Sequence, residues 1–211
     1  MFFYNIFSYY FLFLTFFCFF WGMFMVSGNE SEVFLPNVSD VEGLIKAFQF
    51  FEEKEMRVPK VVFIGVGNIL KGDDGVGIHF VRRLRSLLSS DGRNFENVFF
   101  IEAYTCPESF TGTIRGIAPD FLFLIDAAEL EEVPGSVCLV QPENVVNVGF
   151  STHNLSLALF ARYLKANIPK LEVLFFGIQP QMIVLSEELS PIINKAVECL
   201  AEVFKSALTG K

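Results

Sequence analysis

The sequence predicts an α/β fold, a three-layer α/β/α arrangement around a mostly parallel sheet of about five strands. Two observations predict it. Continuous apolar runs typical of strands buried on both faces recur along the chain, and segments with apolar residues at helical spacing separate them. The first run, residues 61–64, leads through a glycine-rich loop into an amphipathic helix. Such units place their loops at the carboxyl edge of the sheet, where α/β proteins bind ligands.

The remaining elements follow the same alternation. We expect further strands at residues 98–102, 121–125, 137–140 and 173–176, and helices at residues 75–89, 153–166 and 189–208. Residues 112–119 are expected to form a loop or short turn. Residues 129–135 form an acidic loop that contains a proline, suited either to contacting a partner or to a solvated connection.

The loop after the first strand carries two adjacent carboxylates, Asp73 and Asp74. A dinucleotide fingerprint would need a third glycine where Leu70 stands, and the two acids would repel a pyrophosphate. No Gly-Lys-Ser/Thr follows, which excludes a P-loop. Taken alone, the pair has a simple explanation, because Asp at a helix N-terminus caps N–H groups and complements the helix dipole.

Two more polar groups fall at strand-to-helix junctions. Asp126 directly follows the apolar run 121–125, and an acid there is costly unless it is paired, hydrogen-bonded or used. His153 falls in the first turn of a predicted helix that Ser151 or Thr152 would cap. The other histidine, His79, lies among apolar residues of the first helix and is expected to be structural or partly exposed. Asp74, Asp126 and His153 can therefore meet at one edge of the sheet.

Several short motifs occur in a fixed order over residues 58–208. They are Gly-x-Gly-Asn-x-Leu-x-Gly-Asp-Asp-Gly-x-Gly from Gly65 to Gly77, Cys106-Pro107-Glu108, Asp126-Ala127, Thr152-His153-Asn154, and Gly177-Ile178-Gln179-Pro180. Together they resemble the hydrogenase maturation endopeptidases, which process the large subunit of nickel-iron hydrogenases. The second and last motifs are most similar to the branch that serves membrane-bound, hydrogen-evolving hydrogenases of the formate hydrogenlyase type.

The resemblance implies a specific activity. Family members recognise nickel already inserted in the large-subunit precursor and then remove a short C-terminal peptide. The family's metal-binding positions match Asp74, Asp126 and His153, which we also expect to be the catalytic residues. Asp73 is expected to cap the helix and support the metal ligands. The family is classed with aspartic-type endopeptidases. The alternative is a non-catalytic, metal-sensing chaperone that uses the same ligands to hold the precursor.

The chemistry of the three side chains agrees with this implication. Two carboxylates and an imidazole, with open positions, suit a borderline divalent metal that thiolates of another protein already hold. Binding of nickel to the enzyme itself is expected to be weak. A water on the metal, or one oriented by Asp74 or Asp126, could attack the scissile carbonyl, and the sequence leaves both routes open.

Charge, cysteine spacing and the absence of standard catalytic motifs in the sequence argue against other classes of function. The net charge of -8 and the pI of about 4.8 argue against nucleic-acid binding. No Gly-x-Ser-x-Gly or His-Glu-x-x-His motif is present, so a standard serine hydrolase or zincin lacks its core residues. The 4 cysteines are unclustered, which is typical of small buried side chains in a reducing compartment. We expect a monomer.

The chain before the peptidase domain divides into two parts. Residues 1–29 carry no charge and are rich in phenylalanine, and residues 30–56 are expected to be a linker and an amphipathic helix. The peptidase domain itself is expected to span residues 57–211.

Residues 7–26 are apolar enough for a transmembrane anchor. Lys46, Lys54 and Arg57 follow that segment, so the positive-inside rule would leave the enzyme domain cytoplasmic. No Lys or Arg precedes the apolar run, which disfavours a cleaved signal peptide. The alternative is a translation start assigned too far upstream.

Overall fold

The computed structural model describes residues 55–140, 149–150 and 154–209. These residues form a sheet with helices on both faces. Of the chain before the expected peptidase domain, only residues 55 and 56 are described. The boundary expected at residue 29, the proposed anchor and His153 therefore lie outside the described residues. The strands are β1 (Val61–Val66), β2 (Val98–Tyr104), β3 (Phe121–Glu129), β4 (Val137–Val140), β5 (Gly149–Phe150) and β6 (Glu172–Ile178). The helices are α1 (Val76–Ser90), α2 (Thr111–Ile117), α3 (Asn154–Asn167) and α4 (Pro191–Thr209).

The strand order is β2-β1-β3-β6-β4. Strands β2, β1, β3 and β6 are parallel to one another. Strand β4 runs antiparallel to β6, and the short β5 pairs antiparallel with the end of β3. The predicted α/β class and mostly parallel sheet are therefore confirmed. Every residue of β1 is buried, as expected for a parallel strand covered on both faces.

Alternate residues along the strands divide the core into two layers. On one face, α1 and α4 pack against Phe63, Phe123 and Phe176, and the Phe204 ring lies 5.0 Å from the Phe63 ring and 5.1 Å from the Phe123 ring. On the other face, α2 and α3 cover residues that include Ile64 and Leu124. The strand period of two residues produces this division, because neighbouring side chains point to opposite faces.

The local structure differs from the predictions at two short elements. Residues 112–119 were expected to be a loop or short turn, but Thr111–Ile117 is a helix that ends at Ala118 in the left-handed region, with φ of 49°. Burial of Ile114 against the sheet stabilises this helix despite its two glycines. The two-residue strand β5 was not predicted, because it exists only through its pairing with β3. No helix in the described parts of the chain is long and apolar enough to cross a membrane.

The first turn of α1 packs directly on the strand ends. A Cβ atom at Gly77 would lie 2.1 Å from the carbonyl oxygen of Ile125 and 2.5 Å from that of Val66. A Cβ at Gly65 would in turn lie 2.3 Å from the Gly77 carbonyl oxygen. Only glycine fits at these contacts, so the glycine spacing sets how closely helix and sheet approach.

We predict that Gly77→Ala lowers the free energy of unfolding by about 3 kcal/mol or more, because the clash is with backbone atoms that cannot rotate away. The matched control is Gly112→Ala, since a Cβ at Gly112 meets nothing within 4 Å. The control should leave stability unchanged or raise it by up to about 1 kcal/mol. Urea unfolding of the full chain measures both. Equal effects of the two substitutions would contradict the packing described for Gly77.

Candidate active site

Asp74 lies in the tight turn that connects β1 to α1. The chain leaves β1 through Gly67, whose φ is 121°, and forms a 3-10 turn at Gly72–Gly75 before the helix begins. Asp74 is partly buried, and its Oδ2 atom accepts a hydrogen bond of 3.0 Å from the backbone N–H of Asn68. Its carboxylate is thus held by the loop, in a residue that remains partly exposed.

Asp126 lies inside β3 and not at its end. The prediction that this strand stops at residue 125 is wrong, because β3 continues to Glu129 by pairing with β6 and β5. The pairing with β1 nevertheless stops at Ile125, so Asp126 is the first residue beyond the β1 edge. It is fully buried, and its Oδ1 atom accepts a 2.8 Å hydrogen bond from the N–H of Ala127.

The packing of α1 brings these two carboxylates to the same edge of the sheet. Gly77, three residues after Asp74, lies against the carbonyl of Ile125, which directly precedes Asp126. The third predicted ligand, His153, falls outside the described residues, directly before α3 begins at Asn154. Among the described residues, no three His, Cys, Asp or Glu side chains are grouped to hold a metal ion. Of the three predicted ligands, Asp74 and Asp126 lie in the described part of the chain.

Asp73 has a different environment from Asp74. It is fully buried, and its carboxylate accepts four hydrogen bonds: from the N–H groups of Gln181 (3.0 Å), Met182 (2.8 Å) and Ser190 (2.7 Å), and from the Ser190 hydroxyl (2.8 Å). The expectation that Asp73 caps its own helix is wrong, since neither the 3-10 turn nor α1 has a side-chain cap. Asp73 instead joins the loop of Asp74 to residues 181–190.

Gln179, which directly follows β6, holds the acidic loop through hydrogen bonds. Its side chain is buried; Oε1 accepts a 2.7 Å hydrogen bond from the N–H of Leu130, and Nε2 donates to Glu129 at 3.1 Å. Its backbone also bonds to Gly135 and Ser136 at 2.9 Å each. These contacts hold the loop after β3, whose Glu131 and Glu132 are exposed, next to the strand of Asp126.

His79 lies in the first turns of α1 and is partly buried. Burial, together with the positive charge of Arg82, lowers the pKa of His79. Its Nε2 atom is buried and makes no hydrogen bond within the described part of the chain.

Comparison with known proteins identifies the family. The profile of the hydrogenase maturation protease family matches residues 78–207, more than half of the chain. A putative hydrogenase maturation protease of Methanocaldococcus jannaschii is 34% identical over 164 residues, which cover 75% of this chain and 96% of the relative. The chain belongs to the hydrogenase maturation protease family. The predicted resemblance is thereby confirmed.

Two further similarities agree with this assignment. The hydrogenase 3 maturation protease of Escherichia coli is 29% identical over 138 residues, covering 65% of this chain and 83% of that protein. The crystal structure of the [NiFe] hydrogenase maturation protease HycI from Thermococcus kodakarensis superimposes with a TM-score of 0.63 at 29% identity, covering 72% of this chain and 93% of that one. The protease therefore shares both the sequence pattern and the fold of this family.

The two adjacent carboxylates should respond differently to the same substitution. Asp73→Asn replaces an acceptor oxygen with an NH₂ group facing backbone N–H donors, so it should lower the free energy of unfolding by roughly 2 kcal/mol or more. Asp74→Asn keeps an acceptor for the Asn68 N–H at a partly exposed position, so it should cost less than about 1 kcal/mol. Thermal and urea unfolding of the two variants, side by side, measure the difference. Equal losses would contradict the distinct environments of the two side chains.

Proposed function

We propose that this protease removes the C-terminal extension from the nickel-loaded large-subunit precursor of a nickel-iron hydrogenase. The observation that carries the proposal is the packing of the Asp74 loop against the strand of Asp126, in a chain of this family. That packing places a partly exposed and a buried carboxylate at one edge of the sheet. Loops at this edge are where an α/β protein receives its ligand.

Asp74, Asp126 and His153 are proposed to contact the nickel of the precursor. Two carboxylates and one imidazole supply oxygen and nitrogen donors, which suit a divalent metal that still has thiolate ligands from the precursor. An incomplete set of ligands recognises this metal without removing it from the substrate. Nickel is therefore a feature of the substrate, and its binding to the protease alone is proposed to be weak.

Cleavage is proposed to follow the aspartic type. Asp74 is the better general base of the two carboxylates, since it is partly exposed whereas Asp126 is fully buried. Asp74 takes a proton from a water molecule as the water oxygen attacks the scissile carbonyl carbon. The proton then passes to the leaving amine as the C–N bond breaks. One carboxylate oxygen of Asp74 is proposed to serve this proton transfer while the other contacts the nickel, and Asp126 and His153 complete the contacts that hold the nickel end of the precursor beside this bond.

We also propose where the protease acts in the cell and in which oligomeric state. Residues 7–26 would anchor the chain in a membrane, and the lysines and arginine that follow would keep the peptidase domain cytoplasmic. A hydrogenase of the membrane-bound, formate hydrogenlyase type suits this arrangement, because the anchor would raise the local concentration of enzyme at its substrate. We propose that the chain acts as a monomer.

Asp74→Asn should lower the rate of precursor processing on the order of 100-fold or more, the range expected for loss of a general base. The matched control is Asp91→Asn at the far end of α1, where the aspartate pairs with Arg93 near the surface. Single-turnover cleavage of purified nickel-loaded precursor, followed by mass spectrometry, measures both. A wild-type rate for Asp74→Asn would overturn the assignment of the base.

His153→Ala should weaken binding of the nickel-loaded precursor on the order of 10- to 100-fold, since even the loss of groups that only support a metal ligand reaches that range. Binding is measured directly with a labelled precursor, so the result does not depend on cleavage. His79→Gln changes the only other histidine and should bind like the wild type. Equal affinity of the His153→Ala variant and the wild type would remove His153 from the site.

A further inference from the structure

An exposed apolar surface borders the candidate active site. Four consecutive side chains after β6 are exposed, Met182 by 53%, Ile183 by 54%, Val184 by 42% and Leu185 by 92%, and Leu70 in the Asp74 loop is exposed by 50%. We call these five residues the apolar rim. Single exposed apolar residues need no explanation, but a consecutive run is unfavourable in water unless it serves binding.

Backbone hydrogen bonds attach the apolar rim to the loop of Asp74. The N–H of Gly72 donates to the Ser186 carbonyl at 2.7 Å, and the N–H of Ser186 donates to the Leu70 carbonyl at 3.1 Å. The N–H of Asp73 donates to the Met182 carbonyl at 3.4 Å. The two segments are therefore held side by side, and the rim begins only a few residues from the proposed base.

The Asp73 carboxylate makes this attachment rigid. It accepts hydrogen bonds from Gln181 and Met182 at one end of segment 181–190 and from Ser190 at the other. Burying a carboxylate is unfavourable unless it is fully hydrogen-bonded, and here a buried charge holds a segment whose own apolar side chains stay in solvent. The buried contacts thus fix the position of an exposed surface.

The size and border of the apolar rim indicate the kind of partner. Five side chains supply much less than the roughly 800 Å² per partner of a standard stable interface, so a second copy of this chain does not fit. Exposed Lys71, Glu187 and Glu188 flank the rim segments in sequence, and polar residues commonly border the centre of a binding surface. A short apolar peptide bound transiently beside the active site fits these features.

We propose that the apolar rim binds an apolar stretch of the hydrogenase precursor next to the scissile bond, and so determines which peptide reaches Asp74. This inference rests on the proposed function, because a protease acting at Asp74 must hold its substrate chain beside that loop. The rim is continuous with the loop through the bonds described above. It supplies binding contacts, whereas Asp74, Asp126 and His153 supply the nickel contacts and the chemistry.

The test compares two double variants of the full chain on purified nickel-loaded precursor. Ile183→Gln/Leu185→Gln should lower kcat/KM about tenfold or more, since two side chains lose their burial against the substrate, and kcat at saturating precursor should stay close to the wild-type value. Val58→Gln/Leu159→Gln changes two aliphatic residues that are exposed by 55% and 56% outside the rim, and should leave kcat/KM unchanged. Leu185→Gln alone, at the most exposed position, retains the test if the double variant unfolds.

The other outcomes overturn the proposal in different ways. Wild-type cleavage with an unchanged kcat/KM for both rim variants removes the rim from substrate binding and leaves the proposed function intact. Absence of cleavage by the wild type would contradict both the rim proposal and the proposed function. A higher kcat/KM for the rim variants would mean that another segment of this chain covers the rim. A change in molar mass at unchanged kcat/KM would mean that the rim joins two copies.

Discussion

The close approach of the first turn of α1 to the ends of β1 and β3 is the constraint on which the candidate site depends. At Gly77 the backbone of the helix lies so near the carbonyl groups of Ile125 and Val66 that no side chain fits between them. This contact sets the position of the preceding turn, and with it the position of Asp74 relative to Asp126. A bulkier residue at Gly77 would move the carboxylates apart even where the fold survived.

Adjacent carboxylates with opposite roles are the second consequence of this loop. Asp73 is buried and its carboxylate accepts hydrogen bonds from residues more than one hundred positions later in the chain, while Asp74 is partly exposed. The same residue type therefore serves structure at one position and proposed chemistry at the next. Burial separates them, because a buried carboxylate needs all its hydrogen bonds satisfied whereas a partly exposed one can exchange them with a substrate.

Much of the fold could be predicted because its strands are continuous apolar runs, which few other structures require. The position of Asp74 in a loop after β1 followed from the same pattern. A structural role for Asp73 was predicted, but its partners Gln181, Met182 and Ser190 could not be, since they are distant in sequence and two of them bond only through their backbone. The helix Thr111–Ile117 and the extension of β3 depend on tertiary contacts that override local preference.

The proposed function requires that this protease acts on a precursor because nickel is already bound in it. Mass spectrometry of nickel-loaded and nickel-free forms of the same precursor, each incubated with the wild-type full chain, measures this dependence. We expect release of one C-terminal peptide from the nickel-loaded form, and we expect the nickel-free form to stay intact. Equal cleavage of both forms would contradict the role of nickel, and cleavage of neither would contradict the proposed activity.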